Sequence, residues 1–73
     1  MTADEVIKTL KCLGFEKRRQ VGAHVRMVHK DRPQHGVTIS IHAGMDLSDG
    51  NVASIIRQAG VTREEFDRAR RGR

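Results

Sequence analysis

The sequence predicts an α+β fold. One helix is followed by a three-stranded antiparallel sheet, then by a second helix on the same face of that sheet and a short extra C-terminal helix. Three observations carry this prediction. Thr-x-x-Glu capping boxes at Thr2–Glu5 and Thr62–Glu65 each stand at the start of an expected helix. Residues 37–42 alternate strictly between apolar and polar side chains, the period-two signature of a half-buried strand. Gly22-Ala23 separates two runs of strand length, as a hairpin turn would.

Each element can be justified in order. Thr2 is the expected N-cap of a first helix, with Glu5 reaching back to it. Val6, Ile7, Leu10 and Leu13 repeat at helical spacing, and Gly14 suits the position just past the end, so a helix is expected over residues 3–13. Phe15 to Val21 reads as a polar strand and His24 to Lys30 as a second. Asp31 to Gly36, which contains Pro33, reads as a loop. In the third strand Val37, Ile39 and Ile41 share one face, while Thr38, Ser40 and His42 share the other. Ala43 to Asp46 is expected to be a loop. Ser48 suits an N-cap, with Leu47 and Val52 as its hydrophobic staple. Val52, Ile55, Ile56 and Ala59 form the apolar face of a second helix that Gly60 ends. Val61 and Phe66 flank the second capping box, and a short last helix is expected to fray into an arginine tail. Helices on one face of an antiparallel sheet leave its other face open to solvent or to a ligand.

The 73 residues make one expected domain over residues 1–67, with residues 68–73 as a basic C-terminal tail. A chain this short buries a small core, which makes a stabilising partner plausible. Cys12 is the single cysteine, so no disulfide can form within the monomer, and it reads as a small, partly buried helix residue. His24, His29, His35 and His42 lack the spacing of a zinc site, so neither a metal nor another cofactor is expected. No apolar run has membrane-spanning length and the N-terminus lacks a signal-peptide core, which leaves the cytoplasm as the expected compartment. The net charge of +5 is unevenly spread. Residues 16–32 carry six basic and two acidic side chains, whereas residues 33–67 carry two basic and five acidic ones. A basic segment of this kind attracts nucleic acid or an acidic protein.

The candidate chemistry lies in the run Arg19-Gln20-Val21-Gly22-Ala23-His24-Val25-Arg26. Histidine titrates nearest neutrality and can take or give a proton there. Lys17, Arg19 and Arg26 surround it in sequence and suit a phosphate. On a regular strand His24 and Arg26 project from the same face, so Arg26 is the first choice for charge stabilisation. A proton-transfer group beside phosphate-binding charge points to RNA cleavage without a metal, with the ribose 2′-hydroxyl as nucleophile. Spacing alone leaves a structural or surface role for His24 open. His42, on the polar side of the third strand, is a possible second acid or base, and equally a turn residue or a partner contact. His29 and His35 border the loop and read as surface histidines.

Read together, these segments resemble the HicA-type (YcfA-like) family of mRNA interferase toxins over residues 3–67. The resemblance rests on Gly14-Phe15, on Arg19-Gln20-Val21-Gly22-Ala23-His24, and on the strand 37–41 followed by His42. It continues through Gly44-Met45-Asp46-Leu47-Ser48-Asp49-Gly50, Gln58-Ala59-Gly60 and Glu64-Glu65-Phe66. It implies a dsRBD-like α-β-β-β-α fold, cleavage of mRNA, and neutralisation by a HicB-type antitoxin protein. It also implies that His24 is the catalytic histidine. The family often has serine before that histidine and a second histidine after it, where this chain has Ala23 and Val25. Two other readings fit the same basic face: an RNA-binding module without catalysis, and a protein-binding domain that meets an acidic partner. The absence of Trp and Tyr argues against stacking single-stranded bases on aromatic rings.

Overall fold

The computed structural model describes residues 1–41 and 46–72. Its elements are α1 (Ala3–Cys12), β1 (Phe15–Val21), β2 (His24–His29), β3 (Gly36–Ser40), α2 (Asp49–Ala59) and α3 (Arg63–Arg71). The three strands form one antiparallel sheet in the order β1-β2-β3. This is the α+β class that the sequence predicts, with the dsRBD-like order and the extra C-terminal helix.

Both capping boxes form. Glu5 N donates to Thr2 Oγ1 at 3.2 Å and Thr2 N donates to Glu5 Oε1 at 2.8 Å. The corresponding bonds at Thr62 and Glu65 measure 3.0 and 2.9 Å. Each box satisfies two amides that a helix start leaves without partners. The backbone N–H of Thr2 holds the Glu5 carboxyl below its ordinary value, and that of Thr62 does the same for Glu65. A carboxyl lowered by folding contributes stability above its unfolded pKa and loses it as pH falls through the folded value. Acidification below the ordinary carboxylate range is therefore expected to loosen the starts of α1 and α3. Far-UV circular dichroism against pH tests this. A Glu5→Gln, Glu65→Gln double variant should show a flatter acid limb, and an unchanged limb would contradict the assignment.

The core lies on one side of the sheet. Val6 and Leu10 of α1, Val52, Ile55, Ile56 and Ala59 of α2, and Phe66 of α3 pack with Phe15, Val25, Met27, Val37 and Ile39. The strand alternation and the two helix stripes read from sequence thus meet in one cluster. Leu47 and Val61, the expected staple residues, are half-buried against it. Gly14 follows the C-cap Leu13 with φ 99°, and Gly60 caps α2 with φ 73°.

Some boundaries and burials differ from the sequence reading. α1 stops at Cys12, β2 at His29 and β3 at Ser40, and β3 starts one residue early at Gly36. The loop expected at 43–46 and His42 itself fall on residues 42–45, outside those described, save for Asp46, which forms an isolated bridge with Thr2. α3 runs through Arg71, so Arg68, Arg70 and Arg71 lie in its last turns rather than in a frayed tail. Cys12 is exposed, not partly buried. His29 is buried, not a surface residue. Its ring meets Phe15 edge-on with centroids 5.1 Å apart, and its Nδ1 accepts from Asp31 N and Arg32 N at 3.0 and 3.2 Å. A polar ring that caps two loop amides is at home beneath the surface. His35 is half-buried, its ring close enough to Gly60 that a Cβ there would lie 2.7 Å from it.

Candidate active site on the open face of the sheet

The site begins at the turn. Val21 pairs with His24, which leaves Gly22 and Ala23 as a two-residue hairpin loop. Gly22 has φ 57°, whereas among the described residues no non-glycine residue has positive φ. Positive φ at the first loop position alone is the pattern of a type II′ turn, whose twist matches the strands it joins. The Ala23 carbonyl accepts from Ile41 N, so the turn is also tied to the chain just past β3. His24 is therefore the first residue of β2, held by a glycine turn on one side and by pairing with Ser40 on the other.

In β2, Val25 and Met27 enter the core while His24 and Arg26 are exposed on the opposite face. Paired residues share a face, so Ser40 lies beside His24 and Thr38 beside Arg26. Arg26 Nη1 donates to Thr38 Oγ1 at 3.1 Å. Its guanidinium lies across Gly36, where any Cβ would collide with it. The absent side chain at 36 gives the arginine its path along β3. Gly36→Ala is expected to push the guanidinium off Thr38 while leaving the core unchanged. Loss of a fixed Arg26 Nε resonance in NMR spectra, with an unchanged core amide pattern, would show this. An unmoved Arg26 resonance would refute it.

The basic residues of β1 divide between the two faces. Lys17 pairs with core-facing Met27, and Arg19 pairs with Arg26. The register shifts between them, so Arg18 is an extra residue and two arginines stand opposite one. Arg19 therefore joins His24 and Arg26 on the open face, with Arg18 at the bulge. Lys17 is exposed at the rim on the helix side, where its Nζ lies 3.3 Å from Gln20 Oε1. The structure brings together three of the four residues singled out for catalysis and RNA binding and sets Lys17 apart. His42, the possible second acid or base, lies outside the described residues. Glu16 also takes the open face, opposite Val28. Val28 is four residues along β2 from His24, roughly 13 Å at strand rise, too far for a shared proton transfer.

An exposed imidazole on the same sheet face as two arginines, one of them fixed by Thr38, can move a proton and hold a phosphate. Fold alone would not decide what it does. The family model for the HicA toxin of bacterial toxin-antitoxin systems matches residues 3–61. The chain belongs to the HicA toxin family, and its role is that of the toxin in a toxin-antitoxin pair. The match contains both sides of the Gly22 turn and the whole sheet. No curated protein matches the chain. Among the described residues no helix is long and apolar enough to cross a membrane.

Proposed function

We propose that this toxin is an mRNA endoribonuclease in which His24 performs acid–base chemistry and Arg26 and Arg19 hold the scissile phosphate. One observation carries the reading: in a HicA-family chain, His24 opens β2 on the same exposed face as both arginines. His24 removes the proton of the ribose 2′-hydroxyl, and the resulting oxygen attacks phosphorus. The P–O5′ bond breaks, the 5′-oxygen leaves with a proton, and a 2′,3′-cyclic phosphate remains. Guanidinium groups offset the negative charge that grows on the phosphoryl oxygens. His42 is the sequence's candidate for the second proton transfer. A HicB-type antitoxin would neutralise the enzyme by covering this basic face, which RNA also needs.

Attack by the 2′-hydroxyl requires no metal. The purified protein is therefore expected to cleave RNA in excess chelator and to leave cyclic phosphate, or the monoester formed from it, on the 3′ end of the upstream fragment. Added antitoxin should suppress cleavage in competition with RNA. Products with 5′-phosphate and a strict need for a divalent ion would overturn the mechanism. RNA binding with no cleavage by a folded protein would favour a non-catalytic RNA-binding module.

A further inference from the structure

A groove of about 140 Å³ runs between the outer edge of β3 and α2. Thr38 and Ser40 line it from the strand, and Asn51, Ser54 and Gln58 from the helix. Those three helix residues fall at i, i+3 and i+7, one stripe beside the apolar stripe that enters the core. Among the described residues no charged side chain lines the groove, although the adjoining sheet face is strongly basic. Gln58 Oε1 accepts from Thr38 N at 3.3 Å and Gln58 Nε2 donates to Ser54 Oγ at 3.2 Å, so the amide is already oriented. Asn51 is exposed, with its backbone N–H satisfied by Ser48 Oγ at 3.1 Å.

Position gives the groove its meaning. Its strand wall, Thr38 and Ser40, is paired with Arg26 and His24. One strand spacing, about 4.8 Å, separates the groove wall from the candidate catalytic histidine. A ribose and phosphate held at His24 and Arg26 can reach the groove with the base of the same or the adjoining nucleotide. Side-chain amides and hydroxyls can each donate and accept toward a base edge, as Asn or Gln does with adenine, and an uncharged lining gives phosphate little reason to displace the base. The volume lies well below the roughly 300–1,000 Å³ of a drug-sized ligand site and suits a single ring system.

We propose that the β3–α2 groove is the base-reading subsite of this toxin, taking one unpaired nucleobase beside the scissile phosphate. Asn51, Ser54 and Gln58 read its hydrogen-bonding edge. The inference rests on the RNA-cleaving role proposed above and adds the residues that set its sequence preference.

The test uses the full chain and two readouts. In the first, the four ribonucleoside 3′-monophosphates are titrated separately while the side-chain amide resonances of Asn51 and Gln58 are followed by NMR. The expected result is a response that differs between bases by at least about fivefold in apparent affinity, the lower end of what one good base-edge pairing supplies. In the second, cleavage positions are mapped in a random RNA pool for the parent and for folded Asn51→Ala and Ser54→Ala variants. These variants avoid Gln58, which also holds the edge of β3. Preference at one nucleotide beside the cut should flatten by a similar factor in the variants. Cleavage with an equal amide response to all four bases and unchanged cut positions would overturn the inference and leave the cleaving role standing. A base-dependent amide response without cleavage would uphold the groove and overturn the cleaving role. Neither response would overturn both.

Discussion

The His24→Ala protein is expected to fold as the parent does and to lose RNA cleavage by about 10²–10⁴-fold, the usual contribution of one general acid or base. Growth arrest on expression should disappear with it. The stability half of this expectation follows from position. His24 is exposed at the first residue of β2, and the turn before it is held by Gly22 and by the Ala23 carbonyl rather than by the imidazole. A thermal melt beside a cleavage assay separates the two effects. Full toxicity in a folded His24→Ala protein would remove His24 from the mechanism.

Phe66→Ala is expected to have the largest effect on stability. Phe66 is fully buried and is the only residue of α3 that enters the core. Its ring is the apolar anchor by which a nine-residue helix, charged at all its remaining positions except Ala69, joins the domain. The exposed pair between Arg70 and Glu5, at 3.6 Å, adds little. Removing a buried phenylalanine costs about 3–5 kcal/mol. Small domains hold roughly 5 kcal/mol or somewhat more in total, so most of the margin would go. Urea denaturation should show a large drop in midpoint, with partial unfolding at growth temperature. A shift of less than about 1 kcal/mol would mean that α3 is an appendage to the fold. Phe66 also lies beyond residue 61, where the family match ends, so the structural unit extends past the matched segment.

The fold was legible wherever the sequence offered a local physical signal. Both Thr-Glu boxes, the Gly22 turn and the alternation at Val37 and Ile39 specify their own geometry, and each forms as read, although the strand stops before Ile41. The shared face of His24 and Arg26 follows from the two-residue period. The bulge at Arg18 was not legible. Glu16 to Gln20 are all polar, so no apolar pattern sets their register, and an inserted residue leaves no trace in composition. Lys17 consequently read as a companion of Arg19 although it takes the other face. His29 was misread for a related reason. Its burial depends on the Phe15 ring and on two loop amides that only the folded chain brings to it. The groove was missed because Asn51, Ser54 and Gln58 look like an ordinary solvated stripe until β3 is placed beside them.

The two rims of the sheet share one property. On β1 the rim carries an unbroken run of charged and polar side chains and is bent by the Arg18 bulge. On β3 the Thr38 amide is taken by Gln58 from α2. Charge, a bulge and a covering side chain are the means by which sheets refuse a fourth strand. If the antitoxin covers the open face as proposed, these rims would favour side chains laid across the sheet over a fourth strand added by backbone pairing. Inhibition would then be written in charge and shape at His24 and Arg26. An antitoxin could thus exchange its contact residues freely while keeping its own backbone fold.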